Sequence, residues 1–123
     1  MLLSPKAANA LNNIEAVDPR IVIATFQGNP ATTVISCYSP TNVSDVTEVD
    51  DFYVSLSSLV RHIPKHNFIV IGGDMNAQIG HSDSHKFSYH ATANRNGQLL
   101  EDFIAENELL CLTTKFQKLH SKQ

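Results

Sequence analysis

The sequence predicts an α/β fold, with helices laid on a sheet of mixed strand directions. Three observations predict it. Two runs rich in β-branched residues, 20–26 and 32–38, flank the turn signal Gly28-Asn29-Pro30 and read as a hairpin. Between 48 and 63, Val49, Phe52, Tyr53, Leu56, Leu59, Val60 and Ile63 recur at three- and four-residue steps, the pattern of a helix with one apolar face. The run Phe68-Ile69-Val70-Ile71 then reads as a buried strand that breaks at Gly72-Gly73. After the hairpin, helices and strands alternate, as a layered α/β core requires.

Taken in order, Leu2-Leu3-Ser4-Pro5 has the look of a strand tail without its beginning. Residues 6–15 predict a helix weakened by Asn9, Asn12 and Asn13. Pro40 closes the second hairpin strand, because it cannot continue a ladder and holds Ser39 extended. Tyr38 is thereby set at a strand end, beside a loop of hydroxyl and amide side chains. Such a loop suits a phosphate and equally suits its own caps. Asp45 or Thr47 caps the long helix, Pro64 lies past its end, and Phe52 and Tyr53 read as core.

After Gly80 comes a polar loop to Asn96. Its histidines, His81, His85 and His90, read as solvated side chains, since the loop has neither helical nor knuckle spacing for zinc. Asn96 is the candidate cap of a second helix whose buried side carries Leu99, Leu100, Phe103 and Ile104, ending near Asn107. Residues 109–113 predict a last strand, and 115–123 a polar tail. With its first and last elements incomplete and two sheet edges open, 1–123 reads as one partial domain, the central portion of something larger.

Composition narrows the function classes. The 123 residues hold 42% hydrophobic side chains, enough for one compact core. Nine basic residues face 12 acidic ones, a net charge of -3, which gives no support to a free-standing nucleic-acid binder. Cys37 and Cys111 make no disulfide framework, so the expected setting is reducing and intracellular, nuclear or cytoplasmic. Met1-Leu2-Leu3 has no charged lead of a secretory signal, and no apolar run approaches membrane-spanning length.

The candidate chemistry lies in Gly72-Gly73-Asp74-Met75-Asn76-Ala77-Gln78-Ile79-Gly80. An acid and an amide follow a strand at its carboxyl end, where α/β folds commonly place reactive groups. The glycines remove side chains beside the acid, so a substrate or a backbone can come close. In extended chain Asp74 and Asn76 point to one side. A Gly-Gly-Asp exit is also an ordinary turn capped by Asp, and the stretch alone leaves both readings open.

The series Cys37-Tyr38-Ser39-Pro40-Thr41-Asn42, then Gly72-Gly73-Asp74-Met75-Asn76, then Asn94-Arg95-Asn96-Gly97 resembles the endonuclease/exonuclease/phosphatase superfamily. Within it the sequence is most similar to the endonuclease domains of non-LTR (LINE-type) retrotransposons and to craniofacial development protein 2-like proteins. The resemblance implies a four-layer α/β sandwich, with mixed and mostly antiparallel sheets, that hydrolyses phosphodiesters with a divalent metal, usually magnesium. It implies catalytic roles for three residues. Asp74 orients or deprotonates the attacking water, Asn76 holds the scissile phosphate and that water, and the Tyr38 phenol lies against the phosphate. The family often has a phosphate-contacting asparagine three positions after the tyrosine. Here Thr41 stands there with Asn42 next, which makes both candidate substrate contacts.

The departures weigh as much. The family's early asparagine, its metal-binding glutamate and its late Asp-His pair have no counterpart in this chain, so no metal ligand is assigned. A DNA endonuclease segment of retrotransposon origin, inactive by itself, is the reading that results. Its alternative is a non-catalytic remnant or interaction protein on the same scaffold, self-associating through open sheet edges. The superfamily also holds lipid phosphatases and sphingomyelinases, and only the closer resemblance selects DNA as partner.

Overall fold

The computed structural model describes residues 1–41, 44–80, 85 and 92–112, in an α/β architecture with one four-stranded mixed sheet. The chain divides into two compact units: Met1–Ser39 with Ser58–Met75, and Pro40–Ser57 with Asn76–Gln123.

The first unit opens with a short helix, α1 (Pro5–Ala10), capped by the Ser4 hydroxyl, which accepts from Ala7 N at 3.2 Å, and started by Pro5 at its first turn. The strands β1 (Leu11–Asp18), β2 (Ile21–Phe26), β3 (Thr32–Tyr38) and β4 (Phe68–Asp74) follow in sheet order β1-β2-β3-β4. β1 with β2 and β2 with β3 run antiparallel, joined by short turns. β3 and β4 run parallel, and the connection between them carries the helix α2 (Val46–His62), as a parallel pair demands.

Alternation in β3 buries Thr33, Ile35 and Cys37, and the register sets Ile35 beside Ile23 and Ile71. The hairpin 20–26/32–38 is thus formed within a residue of its predicted bounds. Two expectations are corrected here. The predicted helix 6–15 stops at Ala10, because from Leu11 the chain pairs with β2 instead. Asn12 and Asn13, poor helix formers, are the residues at which sheet pairing wins over local propensity. The run 68–71 is not fully buried either. Phe68 is 62% and Val70 54% exposed, because β4 is an edge strand and their face of the sheet is open among the described residues.

The second unit holds the first three turns of α2 and the helix α3 (Arg95–Glu106). Asp45 Oδ1 accepts from Thr47 N at 2.9 Å and caps α2. Val49, Phe52, Tyr53 and Leu56 are buried on α2, and Leu100 and Phe103 on α3. Tyr53 stacks edge-on to Phe52 at 5.1 Å and tilts against Phe103 at 6.0 Å, contacts of about 1 kcal/mol each beyond their burial.

At the far end of α3, Leu109 N donates to Ile104 O at 2.9 Å and Glu108 N to Ala105 O at 3.3 Å. Glu108 takes a left-handed φ of 55°, so the helix closes in a Schellman turn without the usual glycine. The predicted strand 109–113 is not formed over its described residues, 109–112. Leu110 and Leu112, past that turn, stand exposed. The predicted polar tail, 115–123, lies outside the described residues.

Candidate active site

In the first unit, Tyr38 and Asp74 are registered partners at the carboxyl ends of the parallel strands β3 and β4. The register brings the Cα atoms of Tyr38 and Asp74 side by side, so phenol and carboxylate leave neighbouring strand ends. Ser39 N donates to Asp74 O at 2.8 Å and carries the pairing one step past β3. Tyr38 is half exposed, and its amide donates to Arg20 O at 3.1 Å.

The Arg20 guanidinium lies 5.0 Å from the centroid of the Tyr38 ring, a cation–π contact that holds a positive charge beside the phenol. Sequence reasoning passed Arg20 over. Its signal was the hairpin register: Ile21 opposes Cys37, which sets Arg20 across from Tyr38.

The two glycines before Asp74 serve different ends. A Cβ on Gly73 would sit 1.7 Å from Cys37 O, and its φ of 133° belongs to glycine. Gly73 is therefore what lets β3 and β4 close at the candidate site. A methyl added at Gly72 would meet nothing within 4 Å, which leaves open space two residues before the acid. Beneath them, Cys37 Sγ lies 3.8 Å from Gly72 O and 3.7 Å from Met75 Sδ, and burial pushes its thiol up to about 11. Such a thiol packs and does not react.

In the second unit, Asn76 has a φ of 45°. The chain is thus not extended through it, which corrects the expectation that Asp74 and Asn76 follow one strand periodicity. Thr41 is exposed, its hydroxyl 3.1 Å from Ser44 Oγ and its carbonyl accepting from Ser44 N at 3.0 Å, the self-capping form of that loop. Asn42 lies outside the described residues, as do His81 and His90. His85 is buried rather than solvated.

The helix start departs from expectation too. Asn94, not Asn96, caps α3: its Oδ1 accepts from Gly97 N at 2.8 Å and from Gln78 N at 3.0 Å. Asn96 is fully buried, and its Nδ2 donates to Pro40 O at 2.8 Å and to Asn76 O at 3.1 Å. Gly80 N donates to Glu101 Oε1 at 3.0 Å, so the first turns of α3 hold the backbone of 76–80 at several points.

A metal finds no ready-made cage here. Among the described residues no three His, Cys, Asp or Glu side chains converge, and a hard cation such as magnesium wants several oxygen ligands. The residues present do not by themselves fit the ion. Nor is any described helix long and apolar enough to cross a membrane.

The sequence model of endonuclease–reverse transcriptases matches residues 32–123, a stretch that takes in Tyr38, Asp74, Asn76 and the start of α3. The chain belongs to this family. Craniofacial development protein 2 from Bos taurus is 30% identical over 123 residues, 96% of this chain, and the protein of that name from Tragulus javanicus is equally similar. The chain spans about a fifth, 21%, of the length of those relatives. No solved structure matches it. Family and fold together make this an endonuclease/exonuclease/phosphatase-like α/β chain.

Proposed function

We propose that this chain is the part of a DNA-cleaving phosphodiesterase, of retrotransposon type, that supplies Tyr38, Asp74 and Asn76 to its active site. The observation that carries the reading is the registered Tyr38–Asp74 pair at the carboxyl ends of β3 and β4 in a member of the endonuclease–reverse transcriptase family. Asp74 activates the attacking water, Asn76 holds the scissile phosphate, and the Tyr38 phenol meets the charge that develops on it. The Arg20 cation behind the ring adds positive potential where that anion sits. Donors fixed in advance where charge appears lower a barrier most, each worth about a hundredfold or more in rate. Thr41 and Asn42 are proposed phosphate contacts of the loop after β3. Magnesium belongs to the family reading, and its ligands would have to come from beyond the described residues, so no step is routed through it.

The test combines two assays on the chain, each with and without magnesium. In the first, a short DNA duplex is titrated into labelled protein while backbone resonances are followed. Shifts centred on Arg20, Tyr38, Asp74 and Asn76 support the reading, and scattered or absent shifts overturn it. In the second, slow nicking of supercoiled plasmid that disappears in Asp74→Ala supports catalysis. Nicking that survives Asp74→Ala removes the acid from its role.

The β4 edge favours a second reading, an interaction protein that pairs with a second copy of itself. Phe68 and Val70 are exposed on a strand with no charge before Asp74. Antiparallel β4–β4 pairing would keep the two Asp74 carboxylates at opposite ends of the ladder. Light scattering decides this one: a dimer that Val70→Lys converts to monomer supports it, and a wild-type monomer at high concentration refutes it.

A further inference from the structure

Asn94 already satisfies the cap of α3, yet Asn96, two positions further on, is a second asparagine and is fully buried. Burying an amide costs about 1–3 kcal/mol unless its hydrogen bonds are made inside. Asn96 commits both protons of one nitrogen to two backbone carbonyls that are far apart in the sequence. One is Pro40, the second residue after β3, and the other is Asn76, the second residue after β4.

Each carbonyl has a reason to need this donor. Pro40 is fully buried, so its carbonyl is costly unless a donor meets it. Asn76 takes a left-handed φ, which asparagine reaches more readily than other non-glycine residues but which surrounding bonds still help to hold. A carbonyl bonded on its own residue is a direct means of imposing it. The neighbouring bonds point the same way: Asn94 accepts from Gln78 N, and Asn94 N donates to Gln78 O at 3.2 Å. Gly97 is the residue that lets Gln78 O approach the helix at all.

We infer that Asn96 is a positioning residue, whose side-chain amide sets the backbone of Asn76, and with it the direction of the Asn76 side chain toward a phosphodiester. The inference rests on the proposed function for its substrate and on the geometry alone for the coupling. Asn96 does not touch the phosphate. It acts through Asn76, and the Pro40 bond anchors the same amide at the start of the loop that carries Thr41.

Two measurements test it, one of which needs neither activity nor a variant. In uniformly labelled wild-type protein, the Asn96 side-chain amide protons exchange slowly and show scalar coupling across the hydrogen bonds to the carbonyl carbons of Asn76 and Pro40. Fast exchange and no coupling to Asn76 overturn the inference, whatever the chain does to DNA. The second is a double-mutant cycle on DNA-duplex affinity. Asn76→Ala and Asn96→Ala each weaken binding by about tenfold, and the double variant is no weaker than either alone. A purely structural role instead makes the two losses multiply, and that result also overturns the inference. If wild type binds no DNA, the proposed function falls and the couplings alone decide the positioning role. If Asn96→Ala fails to fold, they decide it likewise.

Discussion

Replacing Gly97 by alanine tests the grip of α3 on the loop after β4. Gly97 lies in the first turn of a helix, where the change to alanine ordinarily gains about 1 kcal/mol when the site is open. Here the added methyl would stand 1.7 Å from Gln78 O and 2.6 Å from its carbonyl carbon, against a floor near 3.0 Å for real contacts. The Gln78 peptide must therefore retreat by roughly 1.3 Å, an overpacking that costs about 1–3 kcal/mol. Gln78 is held by two bonds to Asn94, its N–H donating to Oδ1 at 3.0 Å and its carbonyl accepting from Asn94 N at 3.2 Å, and a retreat of the residue carries both out of reach. Each lost bond adds about 1 kcal/mol. After subtracting the propensity gain, the net loss is about 2–4 kcal/mol, a large part of a small domain's stability. Urea unfolding followed by far-UV circular dichroism reads it as a midpoint lowered by about 1–2 M. A midpoint equal to or above wild type refutes the close approach of Gln78 to α3, and with it the picture of a clamped 76–80 segment.

Further outcomes follow from the same geometry. Gly73→Ala unfolds or severely destabilises the sheet, because the methyl meets Cys37 O and the φ of 133° is closed to alanine, whereas Gly72→Ala is neutral within about 0.5 kcal/mol; thermal melts of the pair separate them. Asn94→Ala removes one oxygen that serves two backbone donors and lowers stability by about 1–3 kcal/mol, measured by denaturant titration, while Asn94→Ser restores part of it. The Cys37 thiol is raised by burial from 9.0 to about 11, so the folded chain keeps its proton longer than the unfolded one. Stability from this group is whole below pH 9 and is lost as pH rises from 9 through about 11, and Cys37→Ala flattens that alkaline slope in unfolding titrations.

Elements with a strong period were legible in the sequence, and elements without one were not. The hairpin, α2 and α3 each bury one face, so apolar residues recur at steps of two or of three and four. β1 is exposed over Asn12 to Val17, and no alternation marks it; only pairing with β2 makes it a strand. β4 was legible as a strand but not as an edge, because a buried and an exposed apolar run spell the same letters. At the candidate site the motifs offered Tyr38, Asp74 and Asn76 as candidates, and the structure registers the first two as partners. Arg20 stayed hidden because its contact with Tyr38 depends on register, and Asn96 because a cap and a buried donor are both spelled Asn within the same tetrapeptide. Its long-range bonds, to residues 20 and 56 positions away, exist only once the chain is folded.

The parallel pairing of β3 with β4 also bears on the order in which the chain folds. The β1–β2–β3 meander closes through short turns, so its ladders ask for little prior ordering and can form as soon as residue 38 has emerged from the ribosome. β4 follows the whole of α2 in the chain, so its pairing with β3 is a non-local step that is intrinsically slow. Until it pairs with β3, Phe68-Ile69-Val70-Ile71 is an uncharged, β-prone run, the kind of segment from which aggregation starts. Lys65 before it and Asp74 after it bracket the run with opposite charges. Charges at the ends of such a run are the placement that limits aggregation, so Asp74, proposed for chemistry in the folded chain, is also placed to guard solubility in the unfinished one.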